Sequence, residues 1–253
     1  MKKYTVLSVI ALACLSMQAA ELTGTRFAGY TTCDVTAGFS IVAVPFSGFN
    51  TSSFEYTGIS LDKLISTNGL AISDRLIAFD EATANYWYYE LKSDGWYSLD
   101  VSELGEGSTE HIVNAPELST ITKAQGYAFW LRTENPTTVY LQGVVNTDAG
   151  GVTVAANKFT LIGNALPTPL NLNDSSFIAA NDWFKPGPPG FGDEIHVVNG
   201  SAYVQNVYVS GRWKLVEQIP GKTIFTTDSA SIPAGSGVWY YRNDNSQKNF
   251  ILK

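Results

Sequence analysis

The sequence predicts an all-β protein: two tandem, mutually similar small β-sandwich or β-barrel domains that follow a signal peptide. Three observations carry this prediction: short apolar runs rich in β-branched and aromatic residues, Gly- and Asn-bearing turns between them, and sequence blocks that occur twice. Strands at short intervals are typical of sandwiches and small barrels. Helix is scarce, and only Leu61–Ile65 and Asp182–Phe184 are predicted to form short helical turns.

Five sequence blocks of the first half recur in the same order in the second half, with offsets that shrink from 120 to 111 residues. Differences in loop length produce such small steps, so the blocks indicate a duplicated unit. The polar, Gly-bearing segment 146–151 lies between the copies. We therefore expect a signal peptide over 1–20, a first repeat domain over 21–147 and a second over 148–253. The paired blocks are 39–43 with 159–163, 74–80 with 193–199, Trp96 with Trp213, 121–126 with 232–237, and 139–141 with 250–252.

Turn chemistry supports the strand assignments. Asp94-Gly95 and Asn199-Gly200 each stand between two apolar runs. Glycine tolerates the positive φ that tight hairpin turns need, so each dipeptide predicts a β-hairpin.

Two pairs of recurring residues have predicted structural roles. Trp96 and Trp213 each follow a Gly-bearing turn, so we expect both to be core residues whose truncation costs about 3–5 kcal/mol. Asp74 and Asp193 each precede a strand, where a short acidic side chain accepts hydrogen bonds from loop N–H groups. We therefore expect these aspartates to brace loops rather than to take part in acid–base chemistry.

The N-terminus has the three-part layout of a secretory signal peptide. The basic pair Lys2–Lys3 precedes the apolar run Tyr4–Leu15, and small and polar residues follow. The apolar run is shorter than the roughly 20 residues that span a bilayer. We expect cleavage after Ala19 or Ala20, with lipoprotein processing at Cys14 as the alternative. The sequence thus predicts an exported protein, extracellular or at the cell surface, with the periplasm as a further location.

The charge balance is acidic. The chain has 16 Lys and Arg residues against 23 Asp and Glu residues, and 14 basic residues remain without Lys2 and Lys3, a net charge of −9. Because a negative field repels phosphate and no basic stripe offsets it, nucleic acid and anionic membrane surfaces are poor partners. No later segment is apolar for long enough to span a membrane. Cys33 is the one cysteine after the signal peptide, so no internal disulfide is expected.

The segment Gly29–Phe46 opens with Gly-Tyr and continues with the run Ala37-Gly-Phe-Ser-Ile-Val-Ala43. It resembles the Gly-Tyr strand and the "aGFsLIaNPl" strand of a family of small repeat units in exported proteins of Verrucomicrobia and related bacteria. Phe159–Asn164 and Ile232–Trp239 resemble the latter strand and the closing "PGeGfw" motif, and Thr160–Pro169 is similar to β modules of secreted Bacteroidetes proteins. The likeness covers nearly all of the chain after the signal peptide. It implies an exported β-repeat protein and no particular activity.

Catalytic motifs are absent from the sequence. His111 lies in a polar loop, and His196 lies in a predicted strand at the position that Ile77 holds in the first copy. Neither histidine has a nucleophile beside it in sequence, and no cluster of His and Cys suggests a transition metal. The sequence therefore predicts no catalytic residue, no metal, no cofactor and no enzymatic activity.

Grouped aromatic residues are the one functional signal. Alternate strand residues face opposite sides of a sheet, so Trp87 and Tyr89 should lie on one face and Tyr86 and Tyr88 on the other. One pair is expected in a core. The second pair either forms an accessible surface for sugar rings or protein contacts, or fills the interface between the two copies; the interface is favoured because two tandem copies need one.

Aromatic surface suits binding without chemistry. The sequence thus predicts a secreted, non-catalytic structural or interaction protein of the bacterial envelope or extracellular space. A carbohydrate-binding module is the alternative. A glycoside hydrolase is a third class, because the two catalytic carboxylates of such enzymes come from distant strands and leave no local sequence motif. Polysaccharide or other envelope proteins are the expected partners. The candidate ligand-binding residues are Tyr86, Tyr88, Tyr240 and Phe191.

Overall fold

The structure is a computed structural model in which β-strands make up nearly all of the regular structure, so the predicted all-β fold is confirmed. The expected signal peptide (1–20), the boundary residues 147–150 and His111 lie outside the described residues. The described residues are 28–53, 55–100, 112–146, 151–199, 202–226 and 230–252.

The first half of the chain, residues 28–146, contains eleven strands, the short helix α1 (Leu61–Leu64), as predicted, and a 3-10 turn at Leu118–Thr120 among its described residues. Its strands are β1 (Ala28–Val35), β2 (Gly38–Ala43), β3 (Gly48–Asn50), β4 (Glu55–Thr57), β5 (Ile59–Ser60), β6 (Arg75–Asp80), β7 (Asn85–Lys92), β8 (Gly95–Ser98), β9 (Thr122–Lys123), β10 (Ala128–Thr133) and β11 (Thr137–Val144).

The second half, residues 151–252, contains the helix α2 (Ser175–Ala180). The helix begins where the Asp174 carboxylate accepts hydrogen bonds from the N–H groups of Ser176 and Phe177. At the predicted helical turn Asp182–Phe184 the structure has one hydrogen-bonded turn, in which the Phe184 N–H donates to the Asn181 carbonyl. The strands are β12 (Val152–Val154), β13 (Phe159–Gly163), β14 (Leu170–Asn171), β15 (Glu194–Asn199), β16 (Ala202–Val209), β17 (Arg212–Ile219), β18 (Lys222–Thr226), β19 (Ser231–Ile232), β20 (Gly237–Tyr241) and β21 (Lys248–Phe250).

Each half is built on one open antiparallel sheet with the same strand order. The first sheet runs β2-β10-β6-β7-β8, and the second runs β13-β20-β15-β16-β17 and adds β18 at its far edge. The smaller ribbons also correspond, because β1 pairs with β11 and β5 with β9 as β12 pairs with β21 and β14 with β19. The predicted hairpins are present, since β7 pairs with β8 and β15 with β16.

One face of each sheet is covered by elements of its own half. In the first half, Leu64 of α1 and Leu141 of β11 pack with Phe129 of the sheet. In the second half, Phe177 of α2 packs with Trp213 of the sheet. Each half therefore has its own hydrophobic core.

The other faces of the two sheets pack against each other. Large apolar side chains from both halves fill this contact, and burying them stabilises the association of the halves. We call these residues the seam cluster: Ile41, Ile77, Phe79, Ala128, Trp130, Leu161 and Trp239.

Backbone hydrogen bonds across the seam are reciprocal. The Ala43 N–H donates to the Gly235 carbonyl, and the Gly163 N–H donates to the Gly126 carbonyl. Ala43 and Gly163 hold the same place in the repeat, so Gly126 corresponds to Gly235, and both have positive φ. The sequence alignment matched Gly126 with Gly237 and is wrong there by two residues, because Gly237 belongs to a strand and not to the turn.

The two recurring tryptophans differ in burial. Trp213 is fully buried, as predicted, but Trp96 is only partly buried against the first core. The prediction of equal core positions is therefore wrong for Trp96. The cause is strand position: β8 is the edge strand of its sheet, whereas the corresponding strand β17 is paired with a further strand, β18.

The recurring aspartates brace loops, as predicted. Asp74 accepts hydrogen bonds from the N–H groups of Ala71 and Glu134. Asp193 accepts the equivalent bonds from the N–H groups of Lys185 and Asn243. Each aspartate thus ties the start of one strand to the loop that follows another.

Candidate functional site

Strand β7 presents its aromatic residues to two environments. Trp87 and Tyr89 pack into the core of the first half, whereas Tyr86 and Tyr88 lie against the seam cluster. The second pair therefore lies at the contact between the two halves, as the favoured prediction expects. It does not fill that contact, because both tyrosines remain partly exposed where two clefts open beside the seam cluster.

The first cleft, which we call the Trp239 cleft, has a volume of about 410 Å³. Its rings meet nearly edge to face: the ring centroids of Phe79 and Trp239 are 4.8 Å apart at 89°, and those of Phe159 and Trp239 are 6.1 Å apart at 81°. Such edge contacts are the favoured geometry of aromatic pairs. The lining residues are Phe79, Glu81, Ala84, Tyr86, Lys158, Phe159, His196, Tyr203 and Trp239.

The second cleft, the Trp130 cleft, has a volume of about 470 Å³. Phe39 and Trp130 meet edge to face at 6.1 Å and 86°, and the Arg132 guanidinium lies 6.0 Å from the Phe39 ring. Among the described residues, tyrosine hydroxyls are the only titratable groups in its lining. The lining residues are Phe39, Ile77, Tyr86, Tyr88, Trp130, Val198, Ala202 and Tyr203.

The two clefts lie beside corresponding strands of the two sheets. Strand pairing sets Ile77 opposite Trp130 in the first sheet and His196 opposite Trp239 in the second. The prediction that His196 is a strand residue equivalent to Ile77 is confirmed. This one difference gives the Trp239 cleft an imidazole where the Trp130 cleft has an aliphatic side chain.

Tyr86 and Tyr203 line both clefts. Burial, together with the nearby Tyr203 and Tyr88 hydroxyls, raises the pKa of Tyr86 to about 12. Burial also raises the pKa of Tyr203, although a hydrogen bond from Trp239 opposes that change. Both phenols therefore stay neutral at physiological pH and offer hydroxyl groups to the clefts.

Glu194 fixes the position of His196. Its carboxylate lies 2.8 Å from His196 Nε2 and accepts hydrogen bonds from Gln205 Nε2 at 2.7 Å and from the Gly190 N–H at 2.6 Å. Burial alone would raise the pKa of Glu194, but these hydrogen bonds outweigh it and hold the pKa below its ordinary value. Glu194 is thus a structural anion, both of whose carboxylate oxygens accept hydrogen bonds within the protein.

Glu81 and Lys158 are the charged groups of the Trp239 cleft. The Glu81 carboxylate is neutralised by Lys123, whose Nζ lies 2.7 Å and 2.8 Å from its two oxygens. Lys158 comes from the second half, and its Nζ donates a long hydrogen bond of 3.5 Å to the Ala82 carbonyl of the first half. None of the ion pairs among the described residues includes Lys158.

The sequence-predicted candidates do not form one site. Tyr86 and Tyr88 line the clefts. The assignment of Tyr240 to an accessible surface is wrong: it is fully buried in the second core, where its hydroxyl donates to Asp193. The alternation along β20 turns Tyr240 inward and Trp239 toward the seam. Phe191 is 70% exposed and lines neither cleft.

The Cys33 thiol has a structural position. Cys33 is buried in β1, and burial followed by the charge of Asp34 raises the pKa of its thiol. Within the described ranges, no group of three or more His, Cys, Asp or Glu side chains is arranged to hold a metal ion. No helix of the part of the chain that the structure describes is long and apolar enough to cross a membrane.

Comparison with known proteins finds no match to this chain among family models, curated proteins or solved structures. The resemblance to exported bacterial repeat units therefore stays a prediction from sequence motifs.

Most aromatic residues that line the clefts were not predicted as site residues, and neither was Lys158; these aromatic residues are Phe39, Phe79, Trp130, Phe159, Tyr203 and Trp239. Tyr203 is the counterpart of Tyr86, because both pair with the equivalent end of the neighbouring strand. The tryptophan offset of the repeat, applied to Tyr86, points to Tyr203 and was the available signal. For the others, only the strand register decides which face they occupy.

Proposed function

We propose that the protein is an exported, non-catalytic structural or interaction protein that makes its contacts through the aromatic clefts at the seam. One observation carries the proposal: the Trp239 cleft is walled by aromatic rings, and Glu81, the one carboxylate among its described lining residues, is neutralised by Lys123. A mostly apolar cleft with few polar groups is the usual form of a binding site.

The state of the carboxylates argues against glycoside hydrolysis. Such enzymes need one carboxyl group as acid and a second as base or nucleophile on either side of the bond. Around the Trp239 cleft, Glu81 is bound by Lys123 and Glu194 by three donors. Neither group is free to transfer a proton to a substrate in this arrangement.

Carbohydrate binding is the second candidate, and exposed aromatic rings favour it. Tyr203 is 53% exposed beside the clefts, and Tyr30 and Tyr140 are 78% and 42% exposed on the β1–β11 ribbon. Aromatic faces offer the apolar contact that a sugar ring needs, so tyrosines of this kind suit a glycan surface.

A binding screen with a hydrolysis readout tests both candidates. The chain from residue 21 would be applied to polysaccharides and to envelope proteins while released sugar is measured. We expect saturable binding without turnover, weakened in Tyr203→Ala and retained in the control Tyr97→Ala, which alters an exposed tyrosine on the edge strand β8. Turnover that is lost when Glu81 or Glu194 is replaced would contradict the proposal.

Export and the domain boundary belong to the same proposal. The reciprocal hydrogen bonds and the shared strand order support a duplicated unit divided at 146–151. The N-terminal sequence and mass of the exported protein test the leader. Ordinary cleavage predicts Ala20 or Glu21 as the first residue, whereas a lipidated cysteine at position 14 would establish the alternative.

A further inference from the structure

We infer that the Trp239 cleft binds a small ligand made of an aromatic ring system and one anionic group. The inference rests on the proposed binding function and names the ligand class of one of its two clefts. It depends on the cleft's shape, on which of its polar groups are already used, and on its one unpaired cation.

The shape selects a planar, apolar ligand. The volume of about 410 Å³ is at the small end of the range for ligand sites, so it suits a small molecule rather than a protein segment. The Trp239 indole stands nearly perpendicular to both Phe79 and Phe159. A flat ring placed there meets the face of one wall and the edge of another, which is the favoured aromatic geometry.

The carboxylates of and beside the cleft are already bound within the protein, which argues against a polyhydroxyl ligand. A sugar needs several hydrogen bonds to replace those that its hydroxyls make with water. Glu81 is bound by Lys123, and Glu194 and His196 bind each other. Among the described residues, the donors of the cleft with capacity to spare are the Lys158 ammonium group and the Tyr86 and Tyr203 hydroxyls, and this set suits a ligand with one anionic, hydrogen-bond-accepting group.

The unpaired ammonium group of Lys158 indicates that the polar group of the ligand is negatively charged. Lys158 has no carboxylate partner among the described residues, and its bond to the Ala82 carbonyl is long. Its ammonium group therefore stands at the mouth of an apolar cleft, where attraction for an anion is stronger than in open water. The neutral Tyr86 hydroxyl adds a hydrogen-bond donor.

The Trp130 cleft provides the internal comparison. Among the described residues, its lining contains neither a lysine nor a carboxylate, although the Arg132 guanidinium lies over the Phe39 ring, 6.0 Å from the ring centroid. Phe39 and Phe159 hold the same place in the two copies and are 49% and 43% exposed. Truncation of either phenylalanine thus makes the same chemical change at similar cost to folding, but in different clefts.

Titration with 8-anilinonaphthalene-1-sulfonate, an aromatic anion, tests the inference, with uncharged N-phenyl-1-naphthylamine as the matched probe. Phe159→Ala should weaken sulfonate binding about tenfold, which corresponds to about 1.4 kcal/mol. Phe39→Ala should leave it within about twofold. Lys158→Ala should weaken the sulfonate by about threefold to tenfold and leave the uncharged probe unchanged, because only the charge interaction is lost. Lys222→Ala, at an exposed lysine of β18, is the control.

Thermal melts within a few degrees of the parent would show that the variants fold. Sulfonate affinity that is the same in the Phe159 and Phe39 variants, or that does not respond to Lys158→Ala, would overturn the inference. Binding to polysaccharide or envelope protein with no binding of either naphthalene probe would overturn it too and would leave the proposed function standing.

Discussion

At the scale of single residues, side chains at corresponding positions of the two sheets lie in different surroundings. Trp213 is fully buried among the rings of Phe184, Tyr208 and Tyr240, whereas Trp96 lies on an edge strand and is partly exposed. The same residue type at the same place in the repeat therefore contributes differently to stability.

Truncation of the two tryptophans should separate these contributions. Trp213→Ala is expected to lower the free energy of unfolding by about 3–5 kcal/mol, the range for large aromatic core residues. Trp96→Ala is expected to lower it by about 1–2 kcal/mol, because less apolar surface returns to water. Urea denaturation followed by circular dichroism measures both losses. Equal losses would contradict the difference in burial.

The recurring aspartates differ in the same way. Asp193 not only braces two loops but also accepts hydrogen bonds from the Tyr240 hydroxyl and from Arg242, which is itself 1% exposed. Asp193→Asn should cost about 3–5 kcal/mol, because it leaves a buried cation without its buried partner. Asp74→Asn, with no cation beside the carboxylate, should cost about 1–2 kcal/mol. Denaturant melts of the pair would show the asymmetry, and a larger loss for Asp74 would refute it.

At the scale of elements, Glu194 links strands to a loop that has no counterpart of its composition in the first copy. From β15 it binds Gln205 of β16 and the Gly190 N–H of the loop 185–192. The loop is further held where the Gly187 N–H donates to the Tyr208 carbonyl. The loop that carries the exposed Phe191 is therefore tied to one wall of the Trp239 cleft.

The lowered pKa of Glu194 predicts a pH dependence of stability. Because the folded state favours the ionised form, its contribution is fully present above the ordinary glutamate pKa of about 4.3 and is lost as the pH falls through the lowered pKa. Glu194→Gln should therefore be less stable than the parent at neutral pH, and the difference should shrink below about pH 4. Melting temperatures measured across this range test it, and a difference that grows on acidification would contradict it.

At the scale of the whole molecule, the two copies meet at positions where only one of them has room for a side chain. A Cβ at Gly163 would lie 2.6 Å from both the Cα and the Cβ of Ala43, its counterpart in the repeat. A Cβ at Gly237 would likewise lie 2.7 Å from the Cβ of Ala128. The copies therefore have to differ at the seam.

A methyl group at Gly163 should force the halves apart. Gly163→Ala is expected to lower the free energy of unfolding by about 1–3 kcal/mol, the usual range for overpacking. The reverse change, Ala43→Gly, adds no bulk and should cost about 0.5–1 kcal/mol. Hydrogen exchange should show faster exchange in both halves of Gly163→Ala. A loss confined to the second half would mean that the seam does not couple them.

The sequence alone determined the β-class and most strands, because period-two apolar runs and Gly-bearing turns are local features. It also determined that Asp74 and Asp193 brace loops, and that Tyr86 and Tyr88 share one face of their strand. These conclusions depend on sequence neighbours and on the alternation of strand residues between two faces, and neither requires knowledge of long-range contacts.

Only the tertiary structure decided which face of each sheet is shared. The register of β20 against β13 and β15 decides which face of the sheet Tyr240 and Trp239 occupy, and a shift of one residue would exchange their environments. The partial exposure of Trp96 depends on which strand lies at the sheet edge. The clefts exist only because two sheets pack face to face, and such non-local packing leaves no sign in a local sequence pattern.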